Sequence, residues 1–191
     1  MPAADPSAPF DRLVLWGVTG SGKSTAAAAI AEATGLPWTS VDDVTWQPGW
    51  VPTDEDEQRR VFGEVCAGER WVLDTAYTVW RDVVLPRADL VVGLDYPRWL
   101  SLGRLLRRTW RRLRTQQLVC NGNVETWRKA LSSDSIIAWH FRSYARKRDG
   151  MRAALAAPDG PPVLLFRSPA QLDEWISGLA RPGRPRHRAP R

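Results

Sequence analysis

The chain has 191 residues with 27 basic and 21 acidic side chains, a net charge of +6, and 43% of it is hydrophobic. That length suits one domain with a sizeable core; no apolar stretch approaches the ~20 residues that span a bilayer, and Met1 to Pro9 lacks a signal peptide's basic start and apolar centre. Two cysteines, Cys66 and Cys120, exclude a disulfide framework and a four-cysteine zinc site, so a cytoplasmic location is expected.

Residues 1–10, rich in Pro and Ala, are expected to be disordered, and residues 11–180 to form the domain. Arg12 to Trp16 reads as a buried strand. It runs into Gly17-Val18-Thr19-Gly20-Ser21-Gly22-Lys23-Ser24, which satisfies G-x-x-x-x-G-K-[ST], and a helix-forming run to Thr34 follows, ended by Gly35. Glycines let backbone N–H groups curl toward phosphate oxygens with no Cβ in the way, and the helix start adds its positive dipole end. Gly17, Gly20, Ser21, Gly22, Lys23, Ser24 and Thr25 are therefore the expected ATP contacts. Lys23 is to reach the β- and γ-phosphates, and Ser24 to ligate Mg²⁺.

Pro37 to Val41 reads as a short strand ending at Asp42-Asp43, and a Trp-rich loop, Trp46 to Trp50, follows. Asp42 at that strand end could take the proton of an acceptor hydroxyl during phosphoryl transfer; Asp43 is equally well a turn acid. Trp46 and Trp50 either pack or cover an acceptor pocket. Thr53 is expected to cap a helix reaching Gly68. Trp71 to Asp74 is the next strand, and its terminal Asp74 stands where a carboxylate holds the water around Mg²⁺. Asp89 to Asp95 is a further strand, with Asp95 read as a cap for the helix opened by Pro97.

From Arg98 to Arg114 there are seven arginines and no acid. Arg104 and Arg108 fall on one helical face, as do Arg142 and Arg146 in a second long helix expected over 125–156. With a loop around Asn121-Gly122-Asn123 between them, residues 104–146 read as a lid whose arginines neutralise the transferring phosphoryl. Arg outnumbers Lys 24 to 3, a bias that tempers the weight of any single arginine. Pro162 to Arg167 is the last strand and Pro169 to Leu179 the last helix. Residues 181–191 carry five arginines and no acid and are expected to be a disordered tail; without them 22 bases face 21 acids.

Apolar strands alternating with helices give an α/β fold, a doubly wound five-stranded parallel sheet that carries the P-loop and a helical lid. Several segments in order resemble the adenylate-kinase-like P-loop family of DNA topology modulation proteins. They are the phosphate loop, Val41-Asp42 with Trp46-Gln47-Pro48-Gly49-Trp50, Trp71-Val72-Leu73-Asp74, Arg81-Asp82, Leu94-Asp95-Tyr96-Pro97 and Asn121-Gly122-Asn123. The resemblance implies ATP and Mg²⁺ binding and a phosphotransferase activity, with Asp42 on the acceptor side and Arg104 and Arg108 in the lid. One segment departs from it: Asp74-Thr75-Ala76-Tyr77 stands where the family has Asp-Gly-Asn-Tyr. The leading reading is a kinase taking a nucleoside triphosphate and a small-molecule acceptor. The alternatives are a nucleotide-binding regulator with slow hydrolysis and a nucleic-acid-associated NTPase.

Overall fold

A computed structural model describes residues 5–156 and 160–179, apart from the side chain of Leu155; the basic tail at 181–191 lies outside the described residues. In chain order the elements are β1 (Arg12–Gly17), α1 (Lys23–Thr34), β2 (Trp38–Thr39), α2 (Val41–Thr45), β3 (Trp46–Gln47), β4 (Val51–Pro52), α3 (Glu55–Ala67) and β5 (Trp71–Leu73). They continue with α4 (Arg81–Val84), β6 (Leu90–Leu94), α5 (Arg98–Thr115), α6 (Trp127–Ala130), α7 (Ile136–Ala156), β7 (Val163–Phe166) and α8 (Pro169–Leu179).

Five strands form one parallel sheet in the order β2-β5-β1-β6-β7. Helices cover both faces, which is why β1, β5 and β6 are almost unbroken apolar runs and not alternating ones. On one face Ala26, Ala27 and Ile30 of α1 pack with Leu13, Leu15 and Leu94, and Leu172 and Leu179 of α8. On the other, Val14 and Leu73 meet Phe62 of α3 and Trp80, whose rings stack with centroids 3.9 Å apart. The buried Trp80 indole donates to Gln58 Oε1 at 3.2 Å, so its polar N–H is satisfied without opening the core.

Several boundaries differ from the sequence-based expectation. The expected strand over 37–41 is only two residues long, because Val41 N–H leaves the ladder and donates to Asp74 Oδ1 at 3.0 Å. Asp42 and Asp43 consequently stand in the first turn of α2, not at a strand end. Asp54 caps α3 by accepting from Asp56 N–H, in place of Thr53, whose hydroxyl is turned to Val44 O. The single helix expected over 125–156 is two. Thr126 caps α6, the polar run Ser132-Ser133-Asp134 interrupts, and the Ser135 hydroxyl accepts from Ala138 N–H to start α7. Of the stretch expected to be disordered at 1–10, residues 1–4 lie outside the described residues, and Trp175 Nε1 donates to Pro6 O at 2.9 Å while its ring stacks on Phe10.

Candidate active site

The phosphate loop joins β1 to α1 at the carboxyl edge of the sheet's central strand. Gly20 (φ 82°) and Gly22 (φ 97°) take the left-handed conformation that frees the loop to curl. At Gly20 a Cβ would lie 2.3 Å from Ser101 O, so α5 packs directly against the loop. Arg104 ties the same helix down by donating to Ser21 O at 3.1 Å. His140 of α7, fully buried, contacts Thr19 O through Nδ1 at 3.0 Å. Histidine is absent from the sequence-based list of site residues, yet here it braces the loop.

The loop's donors suit a triphosphate. The Ser21 hydroxyl is buried without a partner, and Lys23 Nζ folds back onto Gly17 O and Val18 O at 2.9 and 3.1 Å. A cavity of about 410 Å³ opens beside them, lined by Ser21, Gly22 and Thr25 and by Arg104, Arg107, Arg108 and Arg111 of α5. Its apolar lining is Ala26, Ala29, Tyr96, Leu172 and Ile176, so apolar surface for a base and arginines for phosphates border the same cavity.

Asp74 is 3% exposed, and burial raises its pKa while the Ser24 hydroxyl and Val41 N–H favour the carboxylate. No cluster of three metal-ligating acid, His or Cys side chains occurs among the described residues. Ser24 with one carboxylate still fits Mg²⁺, which keeps most of its water and takes oxygens from the phosphates.

Asp42, within electrostatic reach of Lys23, accepts from Tyr77 Oη at 2.7 Å. Burial and the Asp42 charge hold the Tyr77 phenol well above its usual pKa, so it remains the donor. Tyr77 and Asp74 are the two residues of the Asp74-Thr75-Ala76-Tyr77 segment that match the pattern it otherwise departs from. Arg108 lines the cavity and also lies within electrostatic reach of Asp42, with its Nε buried and unpartnered.

The lid loop is docked. Asn121 Nδ2 donates to Asp43 O and Trp46 O at 2.5 and 2.9 Å, Asn123 Nδ2 donates to Gln47 O at 3.0 Å, and Trp50 N–H donates to Asn123 Oδ1 at 2.8 Å. This loop is thus hydrogen-bonded to α2 and to the β3-β4 hairpin. Arg142 and Arg146 are on the solvent side of α7, where they meet Asp134 at 4.0 Å and the Trp139 ring at 5.7 Å. The residue of α7 that turns toward Lys23 and Asp42 is Lys147. Its signal was present: His140, Tyr144, Lys147 and Met151 share one helical face, and the other three are buried. Asp95, read as a helix cap, instead accepts from Arg148 at 2.6 Å and Arg152 at 3.0 Å, fixing α7 to the sheet.

Burial, then repulsion from Lys147, lowers the Lys23 pKa to about 7, against the opposing pull of Asp42 and Asp74. Above pH 7 the free protein therefore holds Lys23 mostly neutral, whereas a bound triphosphate favours the ammonium form. ATP binding at pH 8 is expected to take up on the order of one proton, falling toward zero below pH 6. Calorimetry in two buffers of different ionisation enthalpy measures this; equal apparent heats at pH 8 would contradict it.

No protein-family model and no curated protein matches this sequence. Solved structures do. A shikimate kinase from Acinetobacter baumannii, in complex with shikimate, superposes with a TM-score of 0.56 at 18% identity, covering 89% of this chain and 91% of that one. A gluconokinase from Sinorhizobium meliloti gives 0.52 at 20% identity, over 89% and 91% of the two chains. A deoxyadenosine kinase from M. mycoides gives 0.52 at 12%, over 88% and 96%. At these identities the likeness is one of fold, and the DNA topology modulation name finds no support in it. The chain has the α/β fold of P-loop kinases, a five-stranded parallel sheet flanked by helices.

Proposed function

We propose that this protein is an ATP-dependent phosphotransferase that moves the γ-phosphoryl of Mg-ATP to a hydroxyl of a small molecule. One observation carries the reading: Lys23 of the phosphate loop and the Tyr77-bound Asp42 lie within electrostatic reach of each other, with the arginine-lined cavity on one side. A hydrolase needs only the loop and water; a carboxylate oriented by its own donor suits the abstraction of an acceptor's proton.

The loop N–H groups and Lys23 bind and orient the triphosphate. Mg²⁺, held by Ser24 with Asp74 behind it, would supply charge neutralisation between the β- and γ-phosphates. Asp42 takes the acceptor's hydroxyl proton as the new O–P bond forms. The bond from the γ-phosphorus to the β–γ bridging oxygen breaks, and its electron pair leaves with ADP. Arg108 offsets the charge on the transferring group, and the docked lid loop keeps water from the acceptor side. Both cysteines are free, which suits a reducing cytoplasm, and no helix among the described residues is long and apolar enough to cross a membrane.

The lid arginines test this reading. Arg108→Ala is expected to cut kcat on the order of 100-fold with a smaller change in ATP affinity, since its guanidinium serves the transition state more than bound ATP. Lysine should rescue only part of that loss, because a point charge lacks the forked contact. Arg142→Ala and Arg146→Ala, on the solvent face, are expected to change kcat less than threefold. Steady-state kinetics showing the reverse order would displace Arg108 from the mechanism.

A further inference from the structure

Several cations of this fold are paired with a carboxylate. Arg12 pairs with Asp89 at 2.6 Å, Arg59 with Asp82 at 2.8 Å, Arg112 with Glu125 at 3.0 Å, and Arg148 and Arg152 share Asp95. Two half-buried cations, Arg81 and Lys147, have no carboxylate partner among the described residues, and Lys147 lies within electrostatic reach of Asp42.

Among the described residues the Arg81 side chain makes two long hydrogen bonds, to Ala76 O and Thr78 Oγ1, both at 3.5 Å, and its Nε is buried with no partner. Its guanidinium lies 4.6 Å from the centroid of the Trp16 ring, which covers one face of it. Behind Trp16 stands α7: a Cβ on Gly150 would come within 3.4 Å of that ring, and Lys147 is one turn earlier on the same helix. Among the described residues Lys147 forms no hydrogen bond or ion pair, its one ring contact being Trp139 at 5.9 Å. Burial lowers its pKa, Asp42 raises it, and repulsion from Arg146 and Arg81 lowers it further, so Lys147 is desolvated and within electrostatic reach of Asp42 and Arg81.

Neither Arg81 nor Lys147 lines the donor cavity, where Arg104, Arg107, Arg108 and Arg111 already face the phosphate loop. Two desolvated cations without a counter-ion are costly unless a ligand brings the negative charge. We propose that the acceptor is an anion, a hydroxyl-bearing small molecule with a carboxylate or a phosphate monoester, whose anionic group is held by Arg81 and Lys147 while Asp42 faces its hydroxyl. This inference rests on the phosphotransferase reading and adds the acceptor's charge to it. A neutral molecule of the same shape leaves both cations unpaired in the closed site, so discrimination by charge follows.

The test uses the full chain with Mg-ATP and six probes. Gluconate and shikimate carry carboxylates, glucose 6-phosphate and AMP carry phosphate monoesters, and glucose and adenosine are neutral counterparts. ADP formation is followed, and binding of each probe is measured by calorimetry with a non-hydrolysable ATP analogue present. The expected result is at least a ~10-fold higher kcat/KM for one anionic class than for its neutral counterpart. Arg81→Gln and Lys147→Gln should each raise the KM for that anion on the order of tenfold, with a smaller change in kcat and in ATP affinity, and Lys147→Arg should restore part of it. The preferred arm tells carboxylate from phosphate. Turnover on neutral probes alone would overturn the anionic acceptor while keeping the kinase. An anion bound through Arg81 and Lys147 without any turnover would keep the site and remove the kinase reading. Neither binding nor turnover of any probe, anionic or neutral, would overturn both. Variants that lose ATP affinity and kcat equally would overturn the assignment by returning Arg81 and Lys147 to the donor phosphates.

Discussion

Lys23→Ala is expected to lower turnover about 1,000-fold, close to 4 kcal/mol of barrier, while weakening ATP binding on the order of tenfold. The asymmetry follows from where the charge is needed. Backbone N–H groups and the helix start still hold the phosphates when the side chain is gone, but nothing replaces its charge as the phosphoryl moves. Stability should not suffer. Lys23 is desolvated, repelled by Lys147 and hydrogen-bonded only to loop carbonyls, so its removal relieves an unfavourable burial. Unfolding midpoints that hold or rise, together with the lost turnover, are the expected pair of results. A folded variant with normal turnover would remove Lys23 from the chemistry.

Asp42→Asn is expected to reduce acceptor phosphorylation between ~100- and ~10,000-fold, the range of a lost general base, with ATP affinity changed less than about threefold. The amide keeps the size of the side chain, and its oxygen can still accept from Tyr77, so the local structure should persist. Only the negative charge and the proton-accepting capacity are lost. Single-turnover measurement of phosphoryl transfer beside calorimetric ATP binding separates the two effects. If both fall together, Asp42 belongs with the phosphate loop or the metal and the acceptor side has no base.

The parts of this site that could be read from the sequence are those built by contiguous residues. The phosphate loop, β1, β5, β6 and α8 fall where the apolar runs and the glycines place them, because each is fixed by local chemistry or by burial on both faces. The parts that could not be read depend on long-range contacts. Asp42 entered a helix turn because Asp74, 33 residues away, took the Val41 N–H. Asp95 found Arg148 and Arg152 at separations of 53 and 57 residues, which no local pattern announces. In α7 the abundance of arginine drew attention to Arg142 and Arg146, whereas the buried face made by His140, Tyr144 and Met151 carries Lys147 inward. Two of the chain's three lysines thus meet at the site, and in a sequence so rich in arginine their rarity was itself a signal. The Asn121-Gly122-Asn123 segment is legible as a loop from its composition, but that its side-chain amides donate to the carbonyls of Asp43, Trp46 and Gln47, some 75 residues away, is not.

The fate of the γ-phosphorus tests the account most directly. Incubating the protein with Mg-ATP labelled at that position, with and without the hydroxyl-bearing acceptors named above, and separating the products distinguishes transfer from hydrolysis. The label is expected in a phosphorylated acceptor, with inorganic phosphate forming at least ~100 times more slowly when that acceptor is present, as Asp42 and the docked lid favour the acceptor hydroxyl over water. Label recovered only as inorganic phosphate, at a rate no acceptor alters, would make the protein a nucleotide hydrolase and contradict the phosphotransferase reading.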